Sequence, residues 1–444
     1  MIRAPSSGVV GRRAPARRPG FTMIELMVAI STGMAVGLAA FLLAKVSLGA
    51  FQQDARVNNA QHSVLMAMNR VASDVRRAGF MTTADAATDP ALCDRNNLNA
   101  TQRDLLFGIQ MFDGADPTTY GASPNNPLPG TVTGPGNNRA PDRIRLTGNY
   151  MTTERLAYRM VNAASNQVHL AIDTNAIQRV HRDGAGSATS VCRLFPTGSF
   201  LRLVDSNKRE TYVGIDYCTQ ANSGALVQSV VINYVTLGNP LPRVAGVCGV
   251  AEGNAAGTVN TVNVIEYSVQ RVSQPFGPAQ LDEHGLAPGL LPIVRWDPAV
   301  GGDGVSVSGD DTRLDLIRRQ LDTDGNIIPN SGEVIADYVA DFKLRARYLQ
   351  GPLSQTILDS GFDKGDGIPA AAMVPNRVRS VGIRLTTRSK EADREDRLGA
   401  VPDAATALDR FQVFPPGAAR KLRFARVRTM YTEVNLPNLA QATW

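Results

Sequence analysis

From Phe21 to Ala44 the chain runs through 24 residues whose only charged side chain is Glu25, and beyond Lys45 the apolar positions thin to a spacing of three and four. At about 1.5 Å per residue, the first stretch gives a helix of roughly 36 Å, enough to cross a bilayer with tilt. In the second stretch Val57, Ala60, Val64, Met68, Val71, Val75 and Ala78 fall on one face. Asp54, Arg56, Asn59, Gln61, His62, Arg70, Asp74, Arg76 and Arg77 are assigned to the other. No proline interrupts the chain between Pro19 and Pro90. Gly79 is placed as the stop, with Arg76 and Arg77 near the negative end of the helix dipole. The pattern therefore predicts one helix over 21–79, apolar all round in 21–44 and amphipathic in 45–79. The amphipathic half needs a surface to cover its apolar face.

After residue 80 the period changes from helical to twofold. Segments 80–104 and 113–142 are rich in Asp, Asn, Pro, Gly and Thr and read as loops, the first as a linker. Strand-like runs occur at Leu105–Phe112, Arg143–Thr147, Arg155–Val161, Gln167–Ile172, Ser199–Val204, Thr211–Tyr217 and Leu226–Val235. Further runs follow at Val259–Val272, Arg313–Leu321, Tyr338–Tyr348, Arg377–Thr387 and Lys421–Val434. Phe342 to Tyr348 alternates apolar residues with bases, as a half-buried strand does. No long helix is expected after residue 80. The fold class is α+β: a long N-terminal helix packed on a large, antiparallel, β-rich domain over 105–444, with loop insertions.

The formal charge of +6 belongs to one end of the chain. Residues 1–20 hold Arg3, Arg12, Arg13, Arg17 and Arg18 and no acid, leaving 41 basic and 40 acidic residues in the remainder. A basic leader directly before an apolar span reads as positive-inside topology rather than as a nucleic-acid surface. Basic strand faces at Arg345, Arg347, Arg377 and Arg379 lack interleaved aromatics, so no nucleic-acid partner is expected. A carboxylate inside such a span is costly unless paired, which makes Glu25 the leading functional candidate. A cut between Gly20 and Phe21 would supply a positive α-amine one helical turn away.

Gly20-Phe21-Thr22-Met23-Ile24-Glu25, behind the Arg-rich leader and ahead of the apolar run, resembles the class III signal of type IV prepilins and type II secretion pseudopilins. The resemblance implies cleavage after Gly20 by a membrane prepilin peptidase, which also methylates the amine of Phe21. It further implies that Glu25 pairs with a neighbouring subunit's amine during assembly; because the amine and Glu25 lie one turn apart on the same chain, an internal pair is the open alternative. An ordinary secretory signal would be cut after the apolar run, where Ser47-Leu48-Gly49 is a passable site.

Three later stretches resemble large minor pilins of PilW type and the related J-type pseudopilins. They are Ser73 to Phe80 at the helix end, Val334 to Phe342 before a strand, and Arg423 to Thr429 leading to Asn435-Leu436. The function implied is a non-catalytic minor pilin that primes or caps type IV pilus assembly, with other minor pilins and the major pilin as partners. Its place is the inner membrane with a periplasmic domain, and then the pilus. Alternatives are a type II secretion pseudopilin and, from another class, a membrane-tethered enzyme or ligand-binding protein.

Cys93, Cys192, Cys218 and Cys248 all follow the span and show neither CxxC nor metal-like spacing. In a periplasmic domain they read as disulfides, with three full connectivities open. Asp322, Asp324, Asn326 and Glu333 fall at positions 1, 3, 5 and 12 of a calcium-type loop, but Ile327 replaces the turn glycine and Pro329 intervenes. A hairpin tip fits these residues better, and no other cofactor is implied. Gly33 and Gly37 form a GxxxG in the span. No phosphate loop, dinucleotide fingerprint, HExxH or nucleophile elbow occurs, so no enzymatic activity is expected.

Overall fold

A computed structural model describes residues 22–93, 95, 98–112, 141–172, 177, 191–223, 226–237, 257–270, 314–350, 356–361, 374–389, 410–412 and 424–440. The chain divides into two compact units, Met1–Asn58 and Asn59–Trp444. Helix α1 (Met23–Arg76) runs through the first and into the second. Residues Met23–Leu48 form a stretch long and apolar enough to cross a membrane, and its side chains are exposed. In the second unit Val64, Ala67, Met68, Val71, Ala72, Val75 and Ala78 are buried. The helix closes as its last amides shift to bonds three residues back, Arg77 N to Asp74 O (3.0 Å) and Ala78 N to Val75 O (3.1 Å). Gly79 follows at φ +74°, the left-handed stop expected of glycine. Asn438 Nδ2 donates to the carbonyls of Arg76 (3.0 Å) and Ala78 (3.3 Å) at the end of the helix.

Behind that helix face the chain is antiparallel sheet. The first sheet comprises β1 (Ile109–Phe112), β2 (Arg143–Gly148), β3 (Leu156–Asn162), β4 (Gln167–Leu170) and β5 (Phe200–Val204). It continues with β6 (Glu210–Ser223), β7 (Leu226–Val235), β8 (Gly257–Gln270), β9 (Asp315–Leu321) and β10 (Glu333–Ala336). The 14-residue β8 organises it. Its first half pairs with β3 and β5, closing the ring β8-β3-β4-β7-β6-β5. Its second half pairs with β2 and β9. The ring is a small barrel filled by Leu156, Val161, Val168, Leu201, Val230, Ile232 and their neighbours. Register shifts in β3 and β6 supply the bends that closure needs. At the start of β8, a Cβ on Gly257 would run into the Tyr158 ring and the Val204 carbonyl.

A second sheet has the order β12 (Ile357–Gly361), β11 (Val339–Leu349), β13 (Val378–Arg388), β15 (Phe424–Asn435) and β14 (Arg410–Gln412). One core joins the buried face of α1 to Ile144, Leu146, Ile265 and Tyr267 of the first sheet and to Phe342, Leu344, Ile383 and Leu385 of the second. The short helix α3 (Pro437–Ala440) brings Leu439 into the same core.

The α+β expectation holds, and the twelve predicted runs all contain a strand. Two local readings need correction. Segment 80–104, read as a linker, packs into the domain: Ala86, Leu92 and Leu98 are buried with Phe200 and Val262. Leu105–Phe112 is strand only from Ile109, because α2 (Ala100–Leu105) ends there. The reason is a capping box, in which Asn99 and Gln102 satisfy each other's backbone amides.

Candidate functional site

The first turn of α1 carries Glu25. Thr22 precedes the helix and Glu25 is its third residue, so the two form a reciprocal cap. Glu25 Oε2 accepts from the Thr22 amide (2.9 Å) and the Thr22 hydroxyl (2.9 Å), while the Glu25 amide donates to Thr22 Oγ1 (3.3 Å). The spacing Thr-x-x-Glu is the sequence signature of such a box, so Glu25 has a local partner as well as a charge. Its carboxylate also sits where the helix dipole favours a negative charge. Gly20 and Phe21, the expected cleavage and methylation positions, lie outside the described residues.

Along the helix on either side of Glu25 and beyond it, the surface is apolar and open. Met23, Ile24, Met34, Phe41 and Leu43 expose two thirds or more of their area. An added Cβ on Gly33 or Gly37 would meet nothing within 4 Å. Two polar side chains of the apolar stretch turn back on the helix: Ser31 Oγ donates to Met27 O (2.7 Å) and Thr32 Oγ1 to Val28 O (2.7 Å). On the second half of α1, His62 is exposed, as a solvated residue would be, and so are Leu65 and Met66.

Asp74, assigned from sequence to the solvated face, is instead 4% exposed. It accepts from Tyr267 OH (2.8 Å) and Arg318 Nε (2.8 Å), pinning the helix to β8 and β9. Its spacing, three after Val71 and four before Ala78, already places it on the core face; its charge was allowed to override its position. A second buried carboxylate, Glu266, has no exposed area and lies 2.8 Å from Arg319, 3.2 Å from Arg145 and 3.6 Å from Arg143. Burial pushes the Glu266 carboxyl up, but Arg319, Arg143 and Arg145 outweigh it and hold it below its ordinary range.

Cys192 and Cys218 form a disulfide (Cα–Cα 5.3 Å), tying the turn Val191–Leu194 to β6 on the barrel. Cys93 is also disulfide-bonded, and Cys248 lies outside the described residues. Of the calcium-type positions, the structure brings Asp322 and Asn326 together at the tip of the β9–β10 hairpin. There Asp322 Oδ1 accepts from the amides of Asp324 (2.9 Å) and Asn326 (2.8 Å). Glu333 is turned to Arg70 (3.4 Å) and Arg318 (4.0 Å). Among the described residues no group of three or more His, Cys, Asp or Glu side chains is arranged to hold a metal ion.

Two of the four basic strand residues have partners in and beside the second sheet. Arg347 pairs with Glu433 (3.0 Å), and Arg379 spends its guanidinium on the carbonyls of Asn376 (2.7 Å) and Val378 (3.3 Å). Comparison with protein-family models, with curated proteins and with solved structures found no match.

Proposed function

We propose that this chain is a minor pilin, a non-catalytic subunit that primes or caps a type IV pilus after cleavage between Gly20 and Phe21. The observation that carries the reading is a lone carboxylate, Glu25, in the first turn of an exposed apolar helix directly behind an Arg-rich leader. Cleavage after Gly20 frees an ammonium on Phe21. In hydrocarbon, that ammonium and Glu25 each lose hydration, and pairing them between staggered subunits compensates both. The apolar helix then exchanges lipid for the helices of its neighbours. The Arg-rich leader keeps the N-terminus in the cytoplasm, and the disulfide-bonded β domain lies in the periplasm.

A type II secretion pseudopilin uses the same physics and is the second reading. Affinity capture of the mature chain from detergent extracts separates the two by whether pilus or secretion subunits come with it. The assembly step is tested by Glu25→Ala and Glu25→Gln. Both variants are expected to insert into the inner membrane normally and to be lost from sheared filaments; filaments containing either variant at the wild-type level would refute the mechanism.

A further inference from the structure

Segment 80–93, which leads from the end of α1 to the barrel, is held at both ends. At its start the Thr83 amide donates to Tyr212 OH (2.9 Å) and Asn260 Nδ2 donates to Met81 O (2.9 Å). At its end Leu92 forms a parallel bridge with Glu210. There the Cys93 amide donates to Glu210 O (2.8 Å) and the Glu210 amide to Ala91 O (2.8 Å). Between the two ends lies Asp89, 1% exposed. Its Oδ1 accepts from the Ala91 amide (2.8 Å), whereas its Oδ2 is buried and has no hydrogen-bond partner among the described residues.

The groups packed around Asp89 leave it without a counter-ion of its own. From β5 comes Arg202, whose guanidinium is committed to Glu210 through Nε (2.7 Å) and Nη2. From β6 come Glu210 itself, a like charge, and Tyr212, whose hydroxyl donates to Glu210 (3.1 Å). β8 offers the uncharged Asn260. Within the segment Asp85 is a second acid, with its oxygens bonded in its own turn to the Ala87 amide (2.8 Å) and the Thr88 hydroxyl (2.8 Å). Arg95, just beyond, donates to Ala87 O (3.2 Å). Burial, joined by the charge of Glu210, pushes the Asp89 carboxyl up; Thr83, the Ala91 amide and Arg202 oppose this without cancelling it.

We propose that Asp89 is a proton-operated latch on this segment: protonation of its carboxyl seals 80–93 onto β6, and ionisation loosens it. A carboxylate only accepts hydrogen bonds, and a buried oxygen left without a donor costs more ionised than carrying a proton. The folded chain therefore binds this proton more tightly than the unfolded chain, whose Asp titrates at the ordinary 3.8. Protection of the segment grows as pH falls through the raised folded-state value, and the gain is complete below 3.8. The latch does not depend on what the chain assembles into.

Hydrogen exchange of the full chain in detergent, read by mass spectrometry and corrected for intrinsic rates, tests it. Protection of peptides from 81–93 and from the start of β6 is expected to rise about threefold from about pH 8 to about pH 5, while β13 stays constant. Asp89→Asn is expected to raise protection at about pH 8 roughly tenfold and to abolish the rise. Asp85→Asn, at an acid whose oxygens are already bonded, is expected to keep the rise. A wild-type chain with no rise would overturn the proposal, as would an Asp89→Asn chain that is less protected, does not fold or still responds to pH. Loss of the rise in Asp85→Asn would overturn it too, since the response would then belong to Asp85.

Discussion

The exposed apolar helix and the β domain both give their polar side chains partners, but over very different distances along the chain. In the span the partners are three or four residues apart: Glu25 with Thr22, Ser31 with Met27, Thr32 with Val28. In the domain they are far apart: Asp74 with Arg318 across 244 residues, Lys343 with Asp142 across 201, Glu266 with Arg145 across 121. A single helix meeting lipid has only itself to offer its polar groups. A folded sheet can bring partners from anywhere, and a lost partner there leaves a buried charge behind.

The contrast is broken most severely at Glu266. Glu266→Ala takes away the carboxylate shared by Arg143, Arg145 and Arg319. Its expected cost is about 3–5 kcal/mol, read as a lower urea midpoint by circular dichroism of the full chain in detergent. Cys192→Ser opens a crosslink spanning 26 residues and is expected to cost roughly 3.5 kcal/mol by the loop-entropy relation. The same assay reads it, with protection from protease in the barrel lost first.

Acid sharpens the comparison further. Glu266 has its carboxyl held below the ordinary value of 4.5, so the folded state binds that proton more weakly than the unfolded chain does. Its contribution is complete above about pH 4.5 and is lost as pH falls through the lower folded-state value. Urea midpoints should therefore decline below that pH in the wild type, with a shallower decline in Glu266→Gln. The smallest effect is expected in the span. Ser31→Ala with Thr32→Ala removes hydroxyls whose acceptor carbonyls belong to the same helix, so the membrane-inserted fraction after carbonate extraction should match wild type.

Legibility in the sequence follows the same division. The span, its single charge and the buried stripe from Val64 to Ala78 can be read directly, because helix period and hydropathy are local properties. So can most strand positions, down to the limits of β7 at Leu226–Val235. What escaped was set by distant pairing. Nothing local shows that β8 closes a barrel with one half and extends a sheet with the other. The spacing of Asp74 sets it on the core face, but nothing local shows that Tyr267 and Arg318, remote in sequence, satisfy its charge there. Segment 80–104 looked like a linker because its small and polar composition hides Ala86, Leu92 and Leu98 packed beneath the barrel strands. The Thr22–Glu25 box, like the spacing of Asp74, is a local signal, since Thr-x-x-Glu can be read in the chain itself.

The account depends most on where the mature chain begins, since the pairing of Glu25 needs an ammonium on Phe21. Intact-mass and N-terminal peptide mass spectrometry of the protein isolated from its native membrane measures this directly. The predicted result is a chain starting at Phe21 and bearing one N-methyl group. A chain that retains Met1, or one that begins beyond Leu48, would contradict the account.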